Sequence, residues 1–533
     1  EITLGDTAIT KFRIPGLNFS IKDSTATDNY VLTVDANGDA GWEAAGGGTS
    51  TGETYVKLYT NGNLNNSGSN TVAGYNAGVA LASGSAENTF YGQEAGKGLT
   101  TGDNNTLIGA ICGETITTGG GNTGVGQDCL RALSTGSYNT AIGKEAFKGG
   151  GGCTGSNNTA IGAYSYFAGT TGTNNVAIGT EALKSATTRS NNVAIGYKAF
   201  YTNNSGADGT VAIGSQAGLT YDGSWPFVAI GQNAFELLTT ASECTAVGHG
   251  AGRRATTATS LTVFGCNAGE DVTTGGSNAF FGRYCGRSVT TGESNTAFGS
   301  SALGQGTTCN NNIAIGNSAL ADASVGDDNV AVGHRALYNC ESSDNVAIGY
   351  KAAEALTSGT NSIAIGYQAL DVCTTGNSNV AVGANANGAV TSGSHNISLG
   401  LSSGGSTTTG NWNVFLGGYA GGSATGSGVI GIGNDAGRYS TGNYNTCIGN
   451  SAGDVSSFSG SNNIVIGNGA DPSAANVSNE ITLGDTAITK FRIPGLNFVV
   501  KDSTATEDYV LTVDANGEAS WEAAGGTSTG ETY

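Results

Sequence analysis

Hydrophobic and polar positions along this chain recur in a short cycle. A motif of the form Asn-x-Ala-Ile-Gly returns about every 17 residues, a period in the range of short solenoid repeats. Its closing glycines run from Gly74, Gly92 and Gly109 to Gly467 and Gly484, 25 marks with slips of only one or two residues. So regular a period is the signature of stacked coils. The third residue before the glycine is Val, Ile or Thr in 24 of 25 coils, Ala279 being the exception. The residue just before it is apolar and larger than Ala in 24, Ala73 being the exception. Stiff β-branched side chains favour a pleated strand. Side chains alternate along a strand, so these two positions share one face, expected to be the interior of the roll. The glycine ends the strand where a corner needs positive φ or close backbone approach. The pattern predicts an all-β parallel β-solenoid, a β-roll of about 24 coils over residues 71–488.

Other phases of the cycle carry their own expectations. Three residues after the glycine every coil has Ala, Cys or Ser, which implies a tight interior row. Four before it, Asn stands in 18 of the 25 coils. Identical amides stacked at the coil spacing, ~4.8 Å, can bond along the stack as an asparagine ladder. Runs such as TTGSYN and TTGESN are turn chemistry and should lie outside. Two before the glycine, 21 of the 25 coils have Ala or a larger apolar group, among them Ala177, Ala194, Val263, Phe280, Ala314 and Phe415. A strand apolar on both faces is normally buried on both. This second face is therefore expected to lie against another copy of the chain. The alternative is a flattened coil exposing a row of small Ala side chains.

A longer repeat encloses the short one. Residues 1–19, EITLGDTAITKFRIPGLNF, recur unchanged at 480–498, and Trp42 matches Trp521 at an offset of 479. The chain thus reads as one period of a tandem array plus the start of the next. Residues 1–9 read as the last coil of a preceding roll, 10–70 as a β-rich connector, and 489–533 as the start of the next connector. Within the connector, VLTVD, Ala-Asn-Gly and a strand ending at Trp42 predict a β-hairpin, and Arg13-Ile14-Pro15-Gly16 predicts a turn. Solenoid ends need such caps, because an open edge invites pairing.

The run NNVAIGTEAL at 174–183 and its kin resemble the head repeats of trimeric autotransporter adhesins. The resemblance covers roughly 71–484 and rests on the Ala-Ile-Gly-x-x-Ala core. It implies a parallel β-roll assembled as a homotrimer. This chain departs in period, since the adhesin coil is shorter, so its turns must be longer. Similar Asn-Thr-Ala-Ile-Gly arrays also look like parts of phage and algal-virus fibres.

Composition narrows the function classes. Glycine supplies 90 of 533 residues, proline only 4 and methionine none. There is no collagen triplet, and too much Val, Ile and Phe for a disordered chain. A net charge of −20 with scattered Lys and Arg argues against a partner that carries phosphates, so no nucleic acid is expected. No apolar run approaches membrane-spanning length. The three histidines, His249, His334 and His395, stand far apart at different phases, and no acidic row keeps a constant phase as a sugar-cleaving spike would need. The run Gly431-Ile432-Gly433-Asn434-Asp435-Ala436 matches a dinucleotide fingerprint by letters, but the coil repeat generates it. No catalytic, cofactor-binding or metal site is therefore assigned, and the chain is expected not to be an enzyme. Of ten cysteines, Cys112 and Cys129 share a phase in adjacent coils, within disulfide reach. Either they bond, or they simply replace Ala in the small-residue row. The reading reached is a structural subunit of an extracellular, cell-surface or virion-surface filament. The alternative is an adhesin contacting a host glycan or protein through variable loops.

Overall fold

The computed structural model describes residues 70–490 apart from 83, 203–206 and 323, together with the backbone of four outlying strands. Each coil contributes one three-residue strand, the first Thr71–Ala73 and the last Ile481–Leu483, 25 in all. Every strand pairs in parallel with the next at one fixed register: Val176, Ala177 and Ile178 lie opposite Val193, Ala194 and Ile195, and these opposite Val211, Ala212 and Ile213. The result is one continuous parallel sheet wound as a β-solenoid, with no helix among the described residues. At ~4.8 Å per step the 24 steps rise about 115 Å.

Each corner is set by backbone geometry. Gly109 has a φ of +136°, and a Cβ there would run into the carbonyl of Gly126 in the next coil. Both reasons expected for the marker glycine, positive φ and close approach, therefore hold at once. Three further left-handed turns complete a coil; around Gly179 they fall at Asn174, Glu181 and Leu183, with φ of 58°, 60° and 51°. Non-glycine residues adopt this region at a cost, so packing and the inter-coil hydrogen bonds must hold them there.

The interior is not the face expected from bulk. In almost every strand the middle residue is fully buried, while its two neighbours are only partly covered: Ala177 and Ala194 are wholly enclosed, Ile178 and Ile195 are not. The positions three and one before the glycine therefore face out, and the position two before it faces in. The physical reason is thinness. The inward residue abuts the small row three after the glycine (Ala182, Ala199) and the side chain four after it (Leu183, Phe200), so there is room for little more than a methyl group. Where the inward residue is Phe, the residue four after the glycine is Gly: Phe90 with Gly96, Phe280 with Gly286, Phe415 with Gly421. A Cβ on Gly96 would sit 2.8 Å from the Phe90 ring. The Ala-with-Leu and Phe-with-Gly coils fill the same space in two ways.

The asparagine ladder stands as expected. Asn158 donates from Nδ2 to Asn139 Oδ1 at 3.1 Å, Asn175 to Asn158 at 3.0 Å, and Asn192 to Asn175 at 3.1 Å. Asn158 also bonds a corner carbonyl, Gly172 O at 2.9 Å, and its Oδ1 accepts the backbone N–H of Asn175. The ladder lapses over four coils, where Thr210, Phe227, Cys244 and Leu261 take its place, and resumes at Asn278. In the outlying segments, Tyr30–Val34 pairs antiparallel with Ala40–Ala44, and Tyr509–Val513 with Ala519–Ala523. These are the expected hairpin strands. The coil expected over 1–9 and the turn at Arg13–Gly16 lie outside the described residues.

Candidate functional site

Three surfaces of the solenoid carry side-chain chemistry, and each is a column repeated at the coil rise. The first is the outer face of the sheet. Its two columns hold Thr, Val or Ile on one side and Ile, Val, Leu or Phe on the other. Ile313, Ile315, Ile348, Ile397, Ile464 and Ile466 are each between 38 and 39% exposed. Phe264, Phe281 and Phe298 stack on this face, with ring centroids 5.0 and 5.9 Å apart. With ~7 Å between the columns and a length of ~115 Å, the strip covers on the order of 800 Å². Isolated apolar patches on monomers usually reach only about 300–600 Å².

The second surface is formed by the positions two and five after the glycine. Along most of the chain it is a charged ribbon laced between coils: Arg131 to Glu114 at 3.1 Å, Arg253 to Glu236 at 2.8 Å, Arg287 to Glu270 at 3.0 Å, Arg335 to Glu354 at 2.6 Å. Exposed pairs of this kind are worth at most about 1 kcal/mol each. The ribbon also gathers aromatic rings that are dispersed in the sequence. Lys184 Nζ lies 5.3 Å from the Tyr164 ring and 5.4 Å from Tyr201, and Lys148 lies 5.4 Å from Phe167. No exposed aromatic cluster stands out along the sequence, because these residues become neighbours only at the coil period.

The third surface is a groove of about 400 Å³ on the same ribbon, over the coils closed by Gly383, Gly400 and Gly417. Its floor is Gly388, Gly405 and Gly422, each five residues after its marker glycine. Asp371 closes one end and Arg438 the other, and Asn385, Ser402 and Tyr419 form the wall. Gln368 Nε2 donates to Asp371 Oδ2 at 3.1 Å, while burial pushes the Asp371 carboxyl above its ordinary range. Arg438 bonds Asp435 at 3.0 Å, and its guanidinium lies 5.5 Å from the Tyr419 ring.

The remaining reactive groups stay dispersed. His395 stacks on Trp412 and His334 on Tyr350, with centroids 3.9 and 5.4 Å apart, while His249 Nδ1 lies 3.3 Å from Asn267 Oδ1. Among the described residues no three His, Cys, Asp or Glu side chains gather as metal ligands. All ten cysteines are free thiols, and only Cys266 is exposed. The Cys112 and Cys129 sulfurs are 2.9 Å apart in the small-residue row, each filling an alanine's place. That contact with Cys129, together with burial, raises the Cys112 pKa well above its ordinary value. Gly431 to Ala436 form a strand and corner with no helix behind them. These features define a β-solenoid repeat protein. No protein-family model, curated protein or solved structure matches the chain.

Proposed function

We propose that this chain is a structural segment of a filament, extracellular or on a virion surface, that self-associates in parallel through the outer face of its sheet. One observation carries the reading: two columns, one apolar in 24 successive coils and the other of Val, Ile and Thr apart from Ala279, run side by side along the outside of a continuous parallel sheet. Their extent is comparable to the roughly 800 Å² per partner of a stable protein–protein interface. The interior is filled without them, so the fold itself does not require apolar side chains there. Identical chains in parallel register meet coil for coil, which favours a closed rotational assembly, most simply a homotrimer. The resemblance to adhesin head repeats points the same way. The super-repeat, offset by 479 positions, supports a filament extended by tandem units. The proposed interface differs from the sequence expectation, because the inward Ala177 row cannot meet a partner.

The test is sedimentation of the whole chain at micromolar concentration beside an Ile178→Asp/Ile195→Asp variant. The wild type is expected to associate, and the variant to be monomeric with unchanged β-sheet circular dichroism. A wild-type monomer, or an associating variant, defeats the proposal.

A further inference from the structure

We propose that the groove between Asp371 and Arg438 is a binding site for a short neutral oligosaccharide. The inference is independent of the filament reading. In most other coils the position five after the glycine bears a side chain that covers the ribbon, such as Lys97, Arg131, Lys184, Arg253 or Glu354; Gly304 is a single exception. Here Gly388, Gly405 and Gly422 follow one another and uncover the backbone. The backbone itself also opens. In most other coils, though not at Gln305 or Tyr439, the next residue donates its N–H across to the following coil: Ala168 to Lys184 O at 2.9 Å, Leu237 to Arg253 O at 3.1 Å, Ala355 to Asp371 O at 3.1 Å, and beyond the groove Ser423 to Arg438 O at 2.7 Å. At the three rungs between, the amides of Val372, Ala389 and Ser406 and the carbonyls of Gly388, Gly405 and Gly422 have no partner among the described residues, and only here do three such amides in succession lack one. Backbone groups left unpaired invite a ligand or water to satisfy them.

The interior under the groove changes character at the same place. Asn387, Ser398, Ser403 and Thr407 are buried there, and Ser398 Oγ donates to Asn387 Oδ1 at 2.6 Å. The main apolar cluster stops at Val390, and another begins at Phe415.

The chemistry offered selects the ligand. Each rung presents one donor and one acceptor, which suits hydroxyl groups that both donate and accept. Asn385, Ser402 and Asp371 add polar contacts. Tyr419, exposed on the groove wall, adds an aromatic face for a sugar ring. One acidic end and one basic end leave no net charge to favour a polyanion. An extended peptide presents its backbone groups on one side every two residues, about 6.6–6.8 Å, which slips against a coil rise of ~4.8 Å. A chain of linked pyranose rings advances close to the coil rise.

The experiment is calorimetric titration of the whole chain with tetrasaccharides of β-linked glucose, N-acetylglucosamine, mannose and galactose, with an extended tetrapeptide as control. Gly405→Lys places in the groove the side chain that Lys97 and Lys184 carry at the same phase. At least one sugar is expected to bind, about tenfold or more weakly to Gly405→Lys and to Tyr419→Ala. Should Gly405→Lys not fold, Tyr419→Ala decides. Undiminished binding to the variants, no binding to any sugar, or binding of the peptide alone overturns the proposal. Sedimentation of the same samples reads self-association separately.

Discussion

Replacing Asn295 with leucine removes four hydrogen bonds from the middle of the amide ladder. Asn295 Nδ2 donates to Asn278 Oδ1 at 3.0 Å and to Cys309 O at 2.8 Å. Its Oδ1 accepts from the N–H of Asn312 at 3.0 Å and from Asn312 Nδ2 at 3.2 Å. Two of the groups left behind have another partner: Asn278 Oδ1 keeps the Asn295 N–H, and Asn312 Nδ2 keeps Asn310 O and Gly326 O. The Cys309 carbonyl and the Asn312 N–H do not. A buried group without a partner costs about 1–3 kcal/mol, so the two together cost about 2–6 kcal/mol. Leucine fits the shape, since Leu261 occupies this phase naturally and is fully buried. Its apolar burial offsets about 1.5–3 kcal/mol. Set against each other, the two ranges centre on a net loss of about 2 kcal/mol. Asn295→Ser should cost less, because Ser362 already shows a hydroxyl holding the next rung by accepting the Asn379 N–H at 3.3 Å.

A solenoid's stability is local, so one global melting point would dilute the effect. Native-state hydrogen exchange read by mass spectrometry over 278–316 isolates it. Protection of the amides around Asn312 should fall in Asn295→Leu and fall less in Asn295→Ser, with coils beyond Gly366 unchanged. Equal protection in all three proteins would mean that the ladder is ornament on a fold held by its apolar core alone.

Further outcomes follow from the interior. Phe280→Ala should destabilise its coil by about 3–5 kcal/mol through the cavity it leaves. Adding Gly286→Leu should recover much of that loss in the same exchange assay, since the pair then matches Ala297 with Leu303 in the next coil. Ala194→Asp buries a charge in a methyl-sized space and should melt its coil, whereas Ile195→Asp one residue on should leave β-sheet circular dichroism unchanged. Burial raises the Cys285 and Cys447 pKa from 9.0 to about 12, and that of Cys153, Cys244, Cys309 and Cys373 to about 11. The folded state thus holds protons that the unfolded chain releases above pH 9, so stability should fall as pH rises from 9 through 11–12, measured by urea titration. At pH 8 a thiol reagent should label only Cys266 until the chain is unfolded.

The period, the strand, the corner glycine and the ladder were all legible, because each is a single-position preference repeated in nearly every coil. The direction of the strand was not. Two bulky residues flanking Ala look like an interior pair, and counting bulk at each phase separately turns the coil inside out. The signal that corrects it lies between phases. Phe90, Phe280 and Phe415 each precede a Gly six residues on, while Ala141, Ala177 and Ala297 precede Phe147, Leu183 and Leu303. Two positions that trade volume must share one space, and the position four after the glycine belongs to the interior in any winding. The groove was hidden differently. Gly388, Gly405 and Gly422 are three glycines among 90, and nothing local separates them from corner glycines until the coils are aligned by phase.

The corrected winding changes what the outer columns mean. An interior column is constrained by its neighbours, so Ala and Phe can exchange there only in compensated pairs. An outer column on a water-facing sheet has no such constraint. Threonine, which fills half-buried sheet positions well, would serve one before the glycine as it does three before it in ten coils. It never appears there. From Tyr91 to Leu483 that column holds only Ile, Val, Leu, Phe and Tyr, in 24 successive coils. An open parallel edge and a long apolar face are hazards that sheet proteins ordinarily blunt with charge, and over the solenoid this chain keeps most of its Lys and Glu on the neighbouring ribbon. A surface that stays apolar where folding is indifferent and solubility argues against it is best explained by a contact that uses it, and coil-for-coil register makes a second copy of the same chain the partner that fits along its whole length.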